Sequence, residues 1–157
     1  MPLLGHRNWI VIVDSAYPLQ TSPGIETVET GTDQLTVVRN VLQSIARSPH
    51  VRPVVYMDAE LPFVTEQNAP GVTKYREQIK VALGNLPVHS VLHEQLIQQL
   101  NEASSNFHVL ILKTTLTIPY TSVFLQLNCK YWSDDAERRL RQTMKHRVPP
   151  SSDTAAY

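Results

Sequence analysis

The feature that most constrains this chain is an uninterrupted apolar run, Trp9-Ile10-Val11-Ile12-Val13, with polar residues at both ends. β-Branched and aromatic residues without a polar break are typical of a strand that is buried on both faces of a sheet. Gly5-His6 precedes the run and Asp14 follows it. Because a buried strand holds its ends in fixed positions, we expect His6 and Asp14 to be rigidly placed. A histidine and a carboxylate placed in this way are suited to proton transfer.

Strands and helices alternate along the rest of the chain. Apolar residues at helical spacing predict helices over 33–48, 73–83, 92–103 and 134–146, and β-type runs predict strands over 54–57, 107–113 and 122–127. Turn-forming residues predict loops over 18–31 and 61–71. This alternation indicates a single α/β domain over 1–147, with a mainly parallel central sheet and helices on both faces. The polar segment 148–157 is expected to be a flexible tail.

The charge pattern points to a neutral ligand. Fourteen basic and fourteen acidic residues cancel, and neither sign forms a long block, so nothing indicates nucleic acid or an anionic membrane as a partner. The longest apolar runs are far too short to cross a bilayer. Cys129 is the single cysteine and cannot form an internal disulfide, and the first residues lack a secretion signal. We therefore expect a cytosolic protein that acts on a small molecule.

Several segments together resemble one protein family. The stretch from Gly5 to Pro18 resembles, without a gap, the opening signature of the D-ribose pyranase and L-fucose mutarotase family. Pro119-Tyr120-Thr121-Ser122, followed by an apolar strand, is similar to that family's C-terminal Pro-Tyr-x-Asn segment. His93 is similar to a helix-borne histidine of the ribose branch, and 52–57 and 75–76 resemble segments of the fucose branch. The matches fall in chain order.

The resemblance implies a sugar isomerase that interconverts cyclic forms of a free monosaccharide by acid–base catalysis, with no metal and no redox cofactor. It makes His6 the main acid–base group and Asp14 either the residue that orients His6 or an acceptor for a sugar hydroxyl. Tyr120 is the expected second donor, and Ser122 and His93 are the expected substrate-binding residues. In the family the tyrosine segment meets the histidine across a subunit boundary, which implies a ring-like homo-oligomer.

Two departures from the family pattern leave a second interpretation open. Where the family usually carries a glutamate, four residues before the tyrosine, this chain has Leu116. Where the family has an asparagine, two residues after the tyrosine, this chain has Ser122, which cannot donate and accept as an amide does. A catalytically silent monosaccharide-binding or assembly subunit with the same fold is the alternative function.

Two other chemistries are disfavoured by the sequence. A phosphoryl-transfer aspartate at a strand end needs a second aspartate two residues later, and this chain has Ala16 there. His89 and His93 lie four residues apart, but Pro87 puts His89 at or before the start of the helix, so a helix-borne metal site is not indicated.

Overall fold

The computed structural model describes residues 1–147, and the predicted tail over 148–157 lies outside the described residues. Within that part of the chain, six strands and four α-helices are present, with one 3-10 turn at Leu61–Phe63. Their bounds are β1 Trp9–Val13, β2 Ile25–Glu29, α1 Gln34–Arg47, β3 Val51–Asp58, α2 Val72–Leu83, β4 Val88–Val91, α3 His93–Ala103, β5 Val109–Lys113, β6 Val123–Cys129 and α4 Asp134–Arg147.

The six strands form one mixed, mostly parallel sheet in the order β2-β5-β1-β6-β3-β4. Only β6 runs antiparallel to its neighbours β1 and β3 among these strands. The predicted α/β fold with a mainly parallel sheet is confirmed. The carboxyl ends of β1, β3 and β4 therefore meet the beginning of β6 at one edge, which we call the carboxyl edge of the sheet.

The apolar run that forms β1 lies at the centre of the sheet and is buried on both faces. Ile10 and Ile12 pack into a core with α1 and α2, whereas Trp9, Val11 and Val13 pack into a second core with α3. This alternation follows from the two-residue period of a strand. Each fully buried aliphatic side chain contributes about 1.5–3 kcal/mol, so β1 anchors both layers. The expectation of helices on both faces is confirmed.

Two helix boundaries were predicted from capping residues, and the structure shows these residues in their capping positions. The Asp33 side chain accepts a hydrogen bond from the Thr36 amide and caps α1, as expected for an aspartate at this position. Gly84 ends α2 with φ +58°, a backbone angle that glycine adopts without strain. Across residues 1–147, no helix has the length and apolarity that a membrane span requires.

Two strands were not predicted, and both lie at the edges of the sheet. The loop prediction over 18–31 was wrong at β2, which pairs with β5 from Ile25 to Glu29. The other, β4, is only four residues long and pairs with β3. Both contain exposed polar residues, because an edge strand is held by main-chain hydrogen bonds to one neighbour rather than by burial. Their composition therefore resembles that of a loop.

Candidate functional site

A cavity of about 240 Å³ opens at the carboxyl edge of the sheet. Ligand sites in open α/β sheets lie outside the carboxyl ends of the strands, where the loops leave a crevice. Both polar and apolar groups are present in its wall. The lining residues are Asp14, Ala16, Tyr17, Pro18, His93, Pro119 and Tyr120.

The sheet topology brings these residues together from distant parts of the chain. Asp14 directly follows β1, and His93 begins α3 two residues after β4 ends. Tyr120 precedes β6, whose antiparallel direction puts its first residue at the same edge, with Val123 paired to Met57 of β3. Three of the five predicted site residues, Asp14, His93 and Tyr120, thus line one cavity.

His93 is paired with a buried aspartate that the sequence analysis missed. Its Nδ1 lies 2.9 Å from Oδ1 of Asp58, whose side chain is fully buried. The backbone N–H of His93 is also 3.1 Å from both carboxylate oxygens of Glu60. With Asp58 ionised, Nδ1 carries the hydrogen of this bond, so Nε2 is the ring nitrogen left for a ligand. The pair fixes both the position and the tautomer of the histidine.

The electrostatics of the pair favour a bound proton. The hydrogen bond that His93 donates to Asp58 raises the pKa of His93 above its ordinary value, although partial burial works in the opposite direction. Burial raises the pKa of Asp58, and the hydrogen bond that it accepts from His93 reduces this effect. The second oxygen of Asp58, Oδ2, is buried without a hydrogen-bond partner among residues 1–147. A buried carboxylate oxygen without a hydrogen-bond donor lowers the stability of the fold. Unfavourable electrostatics of this kind are common at functional sites.

Asp14 provides a second carboxylate on the cavity wall. Its Oδ2 accepts a hydrogen bond from the Ala16 amide at 3.2 Å. Burial raises its pKa, and the Ala16 bond and the positive charge of His93 partly offset that increase. A carboxylate with a raised pKa is a stronger base than one in water. Asp14 can therefore accept either a hydroxyl hydrogen bond or a proton.

Two tyrosine rings flank the imidazole of His93. The ring centroids of Tyr17 and Tyr120 lie 6.1 Å and 5.5 Å from that of His93, and both contacts are edge-on. Tyr17 is buried, and its hydroxyl donates to Gln20. Tyr120 is 39% exposed, so its hydroxyl is available to a ligand. Tyr120 is thus the better candidate donor of the two.

A buried hydrogen-bond network supports the segment that carries Tyr120. Tyr120 has φ +59°, an unusual angle for a bulky residue that its surroundings must enforce. The carbonyl of the next residue, Thr121, accepts hydrogen bonds from Gln34 Nε2 at 2.6 Å and from the Tyr75 hydroxyl at 2.7 Å. Thr114 donates to the other end of the Gln34 amide at 2.8 Å. The core therefore determines where Tyr120 lies.

The other two predicted site residues, His6 and Ser122, do not line this cavity. His6 is exposed and lines a separate cavity beside Trp132, Glu137 and Arg141. The five residues of β1 rise about 16 Å in total, so His6 cannot reach Asp14 within one chain. The orienting contact between them does not form there. Ser122 is fully buried and does not line the site cavity.

Leu116, at the position where the resemblance implies a glutamate, packs against the core shared with α1 and α2. Within residues 1–147, no three metal-binding side chains are grouped closely enough to hold a metal ion. The sequence signal for Asp58 is slight: an acidic residue ends a predicted strand, as Asp14 does, and Glu60 follows two residues later.

Solved structures share this fold at low sequence identity. RbsD of Bacillus subtilis complexed with D-ribose is 17% identical, with 80% of this chain and 85% of that chain covered and a TM-score of 0.52. The fucose mutarotase of Streptococcus pneumoniae in complex with L-fucose is 18% identical, with 80% and 85% covered and a TM-score of 0.53. FucU of Bifidobacterium longum is 17% identical, with 80% and 87% covered and a TM-score of 0.50. No curated protein matches the sequence.

A family model covers most of the chain and agrees with the resemblance found in the sequence. It matches residues 2–129, which include every strand of the sheet, the cavity and His6, and it ends before α4. The chain belongs to the RbsD / FucU transport protein family.

Proposed function

We propose that this protein is a cofactor-independent isomerase that interconverts cyclic forms of a free monosaccharide by acid–base catalysis. The observation that carries the proposal is the cavity in which His93, paired with buried Asp58, lies beside Asp14 and an exposed Tyr120. The family supports a sugar ligand, since its members include a protein complexed with D-ribose and a fucose mutarotase in complex with L-fucose. We propose that the reaction takes place in the cytosol, a compartment in which the single cysteine, Cys129, stays reduced.

The reaction needs one base and one acid on the two oxygens of the anomeric carbon. When the ring opens, a base takes the proton of the anomeric hydroxyl, whose oxygen becomes the carbonyl. The bond from the anomeric carbon to the ring oxygen breaks, and an acid delivers a proton to the ring oxygen. Closure in another cyclic form reverses both transfers, so no net proton, electron or water is consumed. Positioned proton transfer of this kind contributes about 10²–10⁴-fold.

The described residues can supply these transfers. Asp14 has a pKa raised by burial and serves as a base or as an acceptor for a sugar hydroxyl. His93 exchanges a proton at Nε2, with Asp58 stabilising its charged form. Tyr120 donates to the ring or anomeric oxygen. Because His6 cannot reach its own Asp14, we propose that it enters the cavity of a neighbouring protomer in a ring-like homo-oligomer.

The activity is tested by exchange NMR of anomer interconversion over a panel of free pentoses and hexoses. We expect faster exchange for at least one sugar, with loss of that acceleration in His6→Ala and in His93→Gln. The matched control is His89→Ala, since His89 is an exposed histidine outside the cavity. If His93→Gln and His6→Ala exchange a responsive sugar as fast as the unaltered protein, the acid–base assignment is wrong.

The shared site is tested by mixing two inactive variants, Asp14→Asn and His6→Ala. Co-assembly of equal amounts should restore about one quarter of the sites, because each restored site takes Asp14 from one protomer and His6 from its neighbour. The mass in solution should be a multiple of one chain. A protein that runs as a single chain, or a mixture that stays inactive after co-assembly, contradicts the shared site.

A catalytically silent sugar-binding or assembly subunit is the second candidate function. It is favoured by Leu116, which packs into the core, and by Ser122, which is fully buried. Two polar groups that the family offers at these positions are therefore absent from the cavity wall. Saturable binding of a sugar whose anomer exchange is not accelerated would favour this function over the enzyme.

A further inference from the structure

Among residues 1–147, nothing buries a residue of the C-terminal helix α4. It runs for 14 residues from Asp134 to Arg147, and none of them is buried. It lies beyond residue 129, where the family model ends. A helix of this length is marginally stable in water when nothing packs against it. Packing against a partner surface would therefore stabilise α4.

One face of α4 is apolar. Ala136, Leu140 and Met144 are spaced by four residues and so share one side of the helix. Leu140 and Met144 are 42% and 40% exposed. We call these three residues the α4 stripe. The opposite side of the helix carries Arg138, Gln142 and Lys145.

The charges of α4 are complementary to those of a second, reversed copy. Asp134, Asp135 and Glu137 occupy the first turn, and Lys145, His146 and Arg147 occupy the last. If two copies lie antiparallel, the acidic turn of each lies at the same end of the pair as the basic turn of the other. A parallel arrangement would instead oppose like charges, which is unfavourable. The charge pattern therefore favours the antiparallel orientation, and the same helix of another copy supplies the matching pattern.

The sizes of the stripe residues fit the same arrangement. When a two-fold axis passes beside Leu140, Ala136 lies opposite Met144 of the partner subunit. A small residue then faces a large one, as in well-packed helix pairs. The two copies present the same surface to each other, which is the geometry of a two-fold symmetric contact.

We propose that α4 pairs antiparallel with α4 of a second copy of this chain, through the α4 stripe and about a two-fold axis at Leu140. A contact of one short helix per copy lies at the low end of interface sizes, so the pairing is reversible and depends on concentration. It does not depend on sugar chemistry or on the neighbour that receives His6. The sugar-exchange assay and the pairing assays below can therefore fail separately.

Cross-linking tests the orientation. In a Cys129→Ser background, Leu140→Cys brings two thiols together across the axis, within the Cα separation of about 4.4–6.8 Å that a disulfide needs. We expect mild oxidation to give a covalent dimer from Leu140→Cys. The control Gln142→Cys, on the opposite side of α4, should give little. Equal yields from both positions, or none from Leu140→Cys, overturn the proposal.

Mass measurement tests the stripe itself. The double variant Leu140→Gln with Met144→Gln removes the apolar face, and Arg138→Gln with Gln142→Ala is the matched control on the opposite side. Glutamine is a good helix former, and circular dichroism checks that each variant is folded. By sedimentation over a range of concentrations, we expect the stripe variant alone to show a lower mass at high concentration. An unchanged mass of the stripe variant overturns the proposal. A lower mass together with no cross-link from Leu140→Cys also overturns it, because α4 would then dock on another surface.

Discussion

Removal of both donors that converge on the Thr121 carbonyl should destabilise the protein more than the two single changes predict. Gln34 Nε2 and the Tyr75 hydroxyl both donate to this carbonyl. No third donor reaches it among residues 1–147. Tyr75→Phe removes one hydroxyl, and Gln34→Met removes the amide while it keeps the length of the side chain. The double variant removes both donors from a buried carbonyl.

The magnitudes follow from the partners that remain. Each single change leaves the carbonyl with one donor. In Gln34→Met the Thr114 hydroxyl can donate instead to the Val13 carbonyl, which lies 2.8 Å away. Each should therefore cost about 1 kcal/mol, the net value of one hydrogen bond. In the double variant the carbonyl is buried without a partner, which adds about 1–3 kcal/mol beyond the sum. Since 1 kcal/mol corresponds to about 2–4 °C in a domain of this size, thermal unfolding resolves the difference.

The assay is urea and thermal unfolding of the four proteins of the cycle, followed by circular dichroism. Tyr56→Phe is the matched control, because among residues 1–147 the Tyr56 hydroxyl has only a long contact, 3.5 Å to Gln126, and its loss should be nearly neutral. We also expect slower sugar exchange in the folded double variant, since the network positions Tyr120. Additivity of the two single changes within about 0.5 kcal/mol would refute the argument that the carbonyl is the shared point of support.

Three further predictions concern the pair at the cavity, the exposed tyrosine and one crowded glycine. Asp58→Asn should lower the pKa of His93, because the hydrogen bond that the ring donates to the carboxylate is the main cause of its increase; an unchanged NMR titration of the ring would contradict this. Since folding raises that pKa above 6.5, the stability from a protonated His93 is fully present below pH 6.5 and is lost as pH rises through the folded-state value. The melting temperature of the wild type should therefore fall over this range more than that of Asp58→Asn, and parallel curves would exclude the linkage. Tyr120→Phe should slow sugar exchange about 10- to 100-fold, which corresponds to about 1.4–2.8 kcal/mol of activation free energy, while the affinity for the sugar stays nearly unchanged. An equal loss of affinity and rate would mean that the hydroxyl contributes to binding only. Gly24→Ala should destabilise the fold by about 1–3 kcal/mol or more, because the added Cβ would lie 2.1 Å from the Ser104 carbonyl oxygen; a melting temperature within about 1 °C of the wild type would show that the loop yields instead.

The sequence alone was sufficient for the elements whose signals are local. The apolar run of β1 shows burial on both faces without any knowledge of its neighbours. Asp33 and Gly84 mark the start of α1 and the end of α2, because capping and a positive φ depend on adjacent residues only. The edge strands β2 and β4 have no such signal. They exist because β5 and β3 offer them unpaired main-chain groups, a contact between segments far apart in the chain.

The same distinction between local signals and contacts of distant segments applies to the residues of the site. Asp14, His93 and Tyr120 could be chosen from residue types and motif spacing, but their meeting in one cavity required the order of the strands and the reversed direction of β6. The pairing of His93 with Asp58 joins residues 35 positions apart, and no local pattern specifies it. The separation of His6 from Asp14 follows from the length of β1, since a strand that places polar groups at both of its ends also keeps them apart. Local chemistry selected the residues, and only the tertiary packing decided which of them act together.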